Sequence, residues 1–258
     1  MPRLLLLLLC LFLAACSGKK DNSLRIGMEL TYPPFEMKDA QGNPDGVGVK
    51  MAEALAADLG RPLKIVPMEF TGLMPALQSG SVDLVISSMT ASEERRKSID
   101  FSEPYAFTGL SILIGKDSTI QSIEDLNKEG TRIAVKAGTT AETLVNARAP
   151  KAKTTAYSEE TACVQEVAQG RADAFIYDQL SIYNYQKKNP DTTKALLKVF
   201  VEENWGVGIA KGNDELKGKV NAFIEKFRKD GGFGKLGDKY LSDEKKALEG
   251  MGVPFILR

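Results

Sequence analysis

Ser87-Ser88-Met89-Thr90-Ala91-Ser92-Glu93-Glu94-Arg95 is the stretch whose reading decides the fold. Before it, Asp83-Leu84-Val85-Ile86 is a short apolar run entered by a turn, the pattern of a buried strand. After it, Ser92 followed by Glu93 and Glu94 is the pattern of a helix N-cap with an acidic first turn. Ser87, Ser88 and Thr90 therefore fall in the loop at the carboxyl end of a strand, where open α/β sheets take their ligands. Arg95 falls at the third helical position, near the positive end of the helix dipole, where a cation is disfavoured by up to about 1 kcal/mol unless an anion offsets it. Two sources of that anion stand open. Glu93 or Glu94 supplies it in a weak surface pair, or Arg95 grips a ligand carboxylate by a bidentate fork with Ser88 and Thr90 as co-donors.

Working outward, the same strand–loop–helix pattern recurs. Leu24-Arg25-Ile26-Gly27-Met28 reads as a strand ending at Glu29, and Tyr32-Pro33-Pro34-Phe35 as a rigid loop. Val49 to Leu59 reads as a helix closed by Gly60, Leu63 to Met68 as a strand, and Leu73 to Gln78 as a short helix. Leu110 to Ile114 and Thr131 to Val135 read as strands, the second ending in Ala137-Gly138-Thr139-Thr140 with a helix from Ala141. Ser158 is read as the cap of a helix ending at Gly170, and Ala172 to Tyr177 as a strand ending in Asp178. Gly206 to Ala210 reads as a last strand, before amphipathic helices over Leu216 to Lys229 and Phe233 to Leu241.

An internal repeat runs through this order. Arg25-Ile26-Gly27-Met28 is echoed by Arg132-Ile133-Ala134-Val135, and Leu77 to Ile86 by Val167 to Ile176. Leu113-Ile114-Gly115-Lys116 is echoed by Ile209-Ala210-Lys211-Gly212. Units of this length are too long for a solenoid and fit two similar α/β lobes, each a small sheet wrapped by helices.

Composition narrows the function classes. Leu4 to Ala15 is almost wholly apolar, too short to span a bilayer and flanked as a secretory signal is. Leu13-Ala14-Ala15-Cys16 resembles the lipobox of bacterial lipoproteins, with Cys16 as the lipidated first residue and a polar tether after it. Lysine and arginine number 34, aspartate and glutamate 34, so no basic excess argues for nucleic acid or an anionic membrane surface. Cys10 leaves with the signal and Cys16 carries lipid, so Cys163 has no partner for an intrachain disulfide. Histidine is absent, which removes Ser-His-Asp and Cys-His chemistry and the commonest zinc sites, but not carboxylate catalysis. No metal or cofactor is expected.

With two lobes, the carboxyl ends of both sheets face one cleft. The strand-end residues are then Glu29, Ser87 to Thr90, Ala137 to Thr140 and Asp178. Gly138-Thr139-Thr140 starts a helix whose free amides form an anion site, unless it is only an ordinary Thr N-cap. Asp178 either caps the next helix or enters the cleft. Arg95 with the Thr140 amides would hold a carboxylate while Asp178 pairs with an ammonium, together an α-amino acid's zwitterion; each charge set needs the other filled. Phe70, Tyr32 and Phe35 are either aromatic walls or core. Glu29 either pairs with Lys50 or Lys64 or reaches a ligand side chain. In the latter case it favours Lys, Arg or an amide such as Gln.

Tyr32-Pro33-Pro34-Phe35-Glu36, Gly80 to Asp83, Ser87 to Arg95, Asp100 to Tyr105, Ala137 to Thr140, Gly170 to Asp173 and Asp178 together resemble the polar amino-acid family of bacterial extracellular solute-binding proteins, over about Leu24 to Leu241. That resemblance implies the α/β, two-lobed periplasmic-binding-protein type II fold with two crossover hinge strands. It places the signal at 1–15, the tether at 16–23, lobe one at 24–107 and 205–258, and lobe two at 108–204. By the likeness Arg95 binds the α-carboxylate with Thr90 and Thr140, and Asp178 and Ser88 take the α-ammonium. Tyr32 and Phe70 sandwich the side chain, Glu29 touches it, and Ser87 lies beside these contacts. Ala91-Ser92 departs from the family's commoner bulky residue and Thr, and the tail from Ser242 to Arg258 runs past its usual end. The expected protein is a monomeric amino-acid receptor for an ABC importer permease, anchored in the cell envelope through lipid on Cys16. The alternative is a lyase like cyclohexadienyl dehydratase on the same scaffold, with Glu29 as general acid, its pKa raised by burial. A sensing domain of a larger signalling protein fits less well, because no transmembrane helix or effector domain follows Leu241.

Overall fold

A computed structural model describes residues 22–250 and 252–257. The signal segment, Cys16 and most of the tether lie outside the described residues. In chain order the first part comprises β1 (Leu24–Met28), β2 (Met37–Lys38), β3 (Pro44–Asp45), α1 (Val47–Asp58), β4 (Leu63–Pro67), α2 (Phe70–Gln78), β5 (Leu84–Val85), α3 (Glu93–Arg96) and β6 (Asp100–Phe101). The middle comprises β7 (Ala106–Gly115), β8 (Arg132–Lys136), α4 (Thr140–Arg148), β9 (Lys153–Tyr157), α5 (Glu160–Ala168), β10 (Ala174–Asp178), α6 (Gln179–Lys188) and β11 (Thr193–Trp205). The chain then returns through β12 (Gly208–Ile209) to α7 (Asp214–Lys229), α8 (Gly232–Tyr240) and α9 (Ser242–Gly250).

The strands form two separate sheets, in orders β4-β1-β5-β12-β6 and β11-β7-β10-β8-β9, with β2 and β3 as a small hairpin. Each sheet has a parallel heart: β1 runs parallel to β4 and β5, and β8 runs parallel to β9 and β10. Parallel pairs need both faces covered, and the apolar clusters on either side of each sheet provide that cover. The chain crosses between the sheets twice. Residues after β6 run beside those before β12, joined by Tyr105 N–H donating to the Trp205 carbonyl (3.0 Å) and Ser102 N–H to the Val207 carbonyl (3.0 Å). The long antiparallel pair β7–β11 continues from these crossings, with its register shifting between Leu196 and Val201. Gly109 faces that irregularity, and a Cβ on it would lie 2.2 Å from Val199 Cγ1, so only glycine fits.

The repeat seen in the sequence is an identical clasp in both lobes. Asp83 accepts from the Arg25 backbone N–H (2.9 Å) and guanidinium (2.6 Å), and Asp173 does the same with Arg132 (2.7 and 2.7 Å). Several element readings need correction. The strand β9 and the 13-residue β11 carry no strong alternation and are additions to the expected elements, whereas α6 is the helix expected after Asp178. Helix α2 starts at Phe70, ahead of the expected Leu73, and tolerates Pro75. The cap of α5 is Glu159 rather than Ser158. The tail is structured: Leu248, Ile256 and Leu257 are buried, and Leu257 bridges Ala106 at the first crossing.

Candidate functional site

Strand ends from both sheets line one small cavity. Glu29, Tyr32, Phe70, Ser87, Ser88, Thr90, Arg95, Thr140 and Asp178 all border it. Every described residue singled out for ligand binding therefore converges there. Each reaches the cavity for a local reason: Glu29 follows β1, the serines and Thr90 follow β5, Thr140 opens α4 after β8, and Asp178 ends β10.

Arg95 is only 9% exposed. Ser92 caps α3 by accepting from the Arg95 N–H (3.3 Å), as its spacing predicts. The surface pairing with Glu93 or Glu94 does not form: among the described residues no carboxylate lies within 4.0 Å of Arg95, and Glu93 instead approaches Arg96 at 3.9 Å. The Arg95 guanidinium donates to the Thr90 carbonyl (2.9 Å) and, across the cleft, to the Gly138 carbonyl (2.9 Å). It lies 5.4 Å from the centre of the Phe70 ring. Two of its five N–H donors are thereby used to set its plane, and three remain for a carboxylate fork. Burial pulls the guanidinium below its ordinary value, although it stays cationic in the working range.

Asp178 does both things that the sequence left open. It caps α6 by accepting from the Ser181 N–H (3.0 Å), and its other oxygen accepts from the Tyr32 hydroxyl (2.5 Å). Burial raises its carboxyl, while the Tyr32 and Ser181 hydrogen bonds hold it back. Tyr32 is thus more than an aromatic wall, since its hydroxyl also accepts from the Ser181 hydroxyl (3.1 Å). Phe35 is core, stacked behind Tyr32 at 5.3 Å and edge-to-face with Trp205 at 4.9 Å. The cap of α4 is Thr139, whose hydroxyl accepts from Glu142 N–H (3.4 Å), so Thr140 is the first helical residue and is not the cap.

Ser87 Oγ accepts from the Glu29 N–H (3.0 Å) and so fixes the end of β1. Ser88 holds a left-handed backbone (φ 47°), a conformation costly for a residue with a Cβ. Its hydroxyl donates to Glu36 Oε2 (2.8 Å). Among the described residues Glu36 forms no ion pair, and burial pushes its carboxyl up to about 8, with Lys136 only partly offsetting it.

The partner of Glu29 is the main correction. Neither Lys50, which pairs with Glu53 and Asp45, nor Lys64 meets it. Lys136, the last residue of β8, does so at 2.5 Å and also reaches Glu160 at 3.0 Å. Lys136 is 1% exposed. Burial alone would lower its ammonium, but Glu160 and Glu29 together raise it. One ammonium thus serves two carboxylates, and burial pushes both of these up, Glu160 to about 7. Glu29 Oε1 is buried without a hydrogen-bond partner among the described residues. Lys136 and Glu160 escaped the sequence reading because they sit inside a strand and a helix start with no motif of their own. Glu203 on β11 was also missed. Its Oε2 accepts from Thr90 Oγ1 (3.1 Å), and it borders the same cavity.

A family model for bacterial extracellular solute-binding proteins, family 3, matches residues 24–243. The L-cystine-binding protein TcyJ of Escherichia coli K12 is 33% identical over 224 residues, covering 86% of this chain and 84% of that one. Among solved structures, an ancestral arginine-binding protein bound to arginine is 38% identical with a TM-score of 0.79, covering 85% of this chain and 98% of that one. The ancestral amino acid-binding protein AncCDT-1, a precursor of cyclohexadienyl dehydratase, is 39% identical with a TM-score of 0.78, covering 85% and 95%.

Proposed function

The chain belongs to family 3 of the bacterial extracellular solute-binding proteins, and on that premise we propose a receptor that closes two lobes around an α-amino acid and delivers it to an ABC permease. The observation that carries this reading is the convergence on one cavity of a buried guanidinium with spare donors and a buried carboxylate from the opposite sheet. Arg95, with Thr90 and Thr140, takes the α-carboxylate; Asp178 takes the α-ammonium, with Ser88 beside it. Phe70 and Tyr32 flank the side chain, and Ser87 keeps Glu29 in place. The moving bodies are residues 24–107 with 205–258 against 108–204.

Side-chain preference follows from Glu29. Its Oε1 asks for a hydrogen-bond donor, and one lysine between two carboxylates leaves negative charge to spare. A cationic or amide side chain answers both needs, whereas Asp and Glu would be repelled. Relatives named for cystine, arginine and glutamine fit a pocket that accepts polar side chains. The test is a thermal-shift screen of residues 17–258 against the common amino acids. A ligand at 100 times its Kd adds about 2.7 kcal/mol to stability. No shift with any of them would end the receptor reading, and a shift with Glu or Asp alone would reverse the side-chain assignment.

The protein works as a monomer, without cofactor, metal or nucleic acid, and it is a binding protein rather than an enzyme. AncCDT-1 keeps the lyase alternative in view, and prolonged incubation with ligand separates the two, since a receptor returns it unchanged. We also propose that lipid on Cys16 holds the receptor at the cell envelope. Among the described residues no helix is long and apolar enough to cross a membrane. Mass spectrometry should find a diacylglyceryl Cys16 as first residue, and Cys16→Ser should release the protein. An unmodified first residue elsewhere would refute the anchor.

A further inference from the structure

Glu203 lies on β11, opposite Thr108 of β7, where the chain passes between the lobes. Its carboxylate accepts from the Thr90 hydroxyl, in the loop after β5, at 3.1 Å. The Thr140 hydroxyl, at the start of α4, also faces it, as does the charge of Arg95. Thr90 follows a strand of the first sheet and Thr140 follows a strand of the second. One side-chain carboxylate therefore binds Thr90 and faces Thr140 from the other lobe, with Arg95 close enough to act on it by charge but beyond ion-pair distance, so it sits among the three groups assigned above to the ligand's α-carboxylate.

We propose that Glu203 is a built-in stand-in for that carboxylate, and that an amino acid binds by displacing it. The proposal rests on the carboxylate assignment made above. Two carboxylates cannot share the Thr90 and Thr140 hydroxyls, and their like charges repel at this distance. Glu203 has somewhere to go. It also borders a second hollow beside Thr108, Gln179 and Asn204, and its side chain has three rotatable torsions. The stand-in sets affinity, because binding is weakened by the fraction of molecules whose site is already engaged. It also sets specificity, because an amine without a carboxylate gains nothing from displacing it.

The test compares wild type, Glu203→Gln and Glu203→Ala by calorimetry with L-arginine, L-glutamine and agmatine, which is arginine without its carboxylate. Glu203→Ala should tighten the amino acids by about tenfold, with a smaller gain in the isosteric Glu203→Gln and none for agmatine. Unchanged or weaker amino-acid binding in both variants overturns the proposal, as does an equal gain for agmatine. Amino acids that bind wild type with no gain in either variant leave the receptor reading standing and overturn only the stand-in, whereas no binding to wild type or to either variant overturns both.

Discussion

The two ends of the cleft are built on different principles. At the backbone end, Arg95 and Asp178 are single charges, each seated by a cap or by carbonyls and each facing the cavity. At the side-chain end, Glu29 is bound into a trio with Lys136 and Glu160 that spans both lobes. Under the proposed function, the first end presents charges that a zwitterion completes. The second is mostly completed by the protein itself, leaving one oxygen, Glu29 Oε1, without a hydrogen-bond partner among the described residues. A constant part of the ligand can thus be gripped by fixed groups, while the variable part meets a pocket whose charge balance is adjustable.

The most severe break of this contrast removes the cation at the backbone end. Arg95→Ala should weaken amino-acid binding by roughly 5 kcal/mol, more than a thousandfold, because the ligand carboxylate would be left unpaired in a closed cleft. Calorimetry giving near-normal affinity would show that the Thr90 and Thr140 groups suffice. The matching break at the other end is Lys136→Met, which strands two buried carboxylates. It should cost about 3 kcal/mol of folding stability, since removing one partner of a buried pair is far worse than removing both. Denaturant unfolding reads that loss, and Lys136→Met combined with Glu29→Gln and Glu160→Gln should recover most of it. Failure of the triple variant to recover would mean that the trio holds the fold through packing.

The difference in construction also decides what could be read from the sequence. The backbone end lies in motif loops, where hydroxyls, a glycine at φ 74° (Gly138) and a helix start are visible as local patterns. The repeat that carries Asp83 and Asp173 was visible for the same reason, although their clasps on Arg25 and Arg132 emerge only in the structure. The trio is a contact between residues 107 and 24 positions apart, and no local pattern carries it. Lys136 falls between the expected strand end at Val135 and the loop from Ala137 and carries no motif, so Glu29 drew the nearer lysines as partners. Glu203 was hidden similarly, because β11 has no clean alternation and was not read as a strand. Caps and repeats are local chemistry; ion pairs between lobes are tertiary.

A smaller effect sharpens the contrast beneath the backbone end. Glu36 lies under Ser88, and burial raises its folded-state carboxyl from 4.5 to about 8. A carboxyl raised by folding contributes stability that is full below its unfolded value and is lost as pH rises through the folded one. Glu36 should therefore make wild type less stable at pH 7 than at pH 5 by about 2 kcal/mol. Glu36→Gln keeps an acceptor for the Ser88 hydroxyl and should flatten this part of the pH profile. A profile identical to wild type in urea unfolding would place the titration on another group.

The smallest expected effect is the most informative about the side-chain end. Glu29→Gln leaves Lys136 paired one-to-one with Glu160, so the fold should be undisturbed. Gln keeps the size of Glu and one acceptor oxygen, so Lys136 still has a partner there. What changes is the charge presented to the ligand side chain. Affinity for a cationic amino acid should fall by about 1.5 kcal/mol, roughly tenfold, while an amide side chain loses less. The α-carboxylate and α-ammonium groups are untouched, so some amino acid must still bind if the two ends act independently. Competition calorimetry with L-arginine and L-glutamine reads the shift directly. Equal losses for both would mean that Glu29 acts on the backbone end through Ser87, whose hydroxyl accepts its N–H. A product formed by wild type and absent with Glu29→Gln would make Glu29 the proton donor of a lyase, and the contrast would then be between a binding end and a catalytic one.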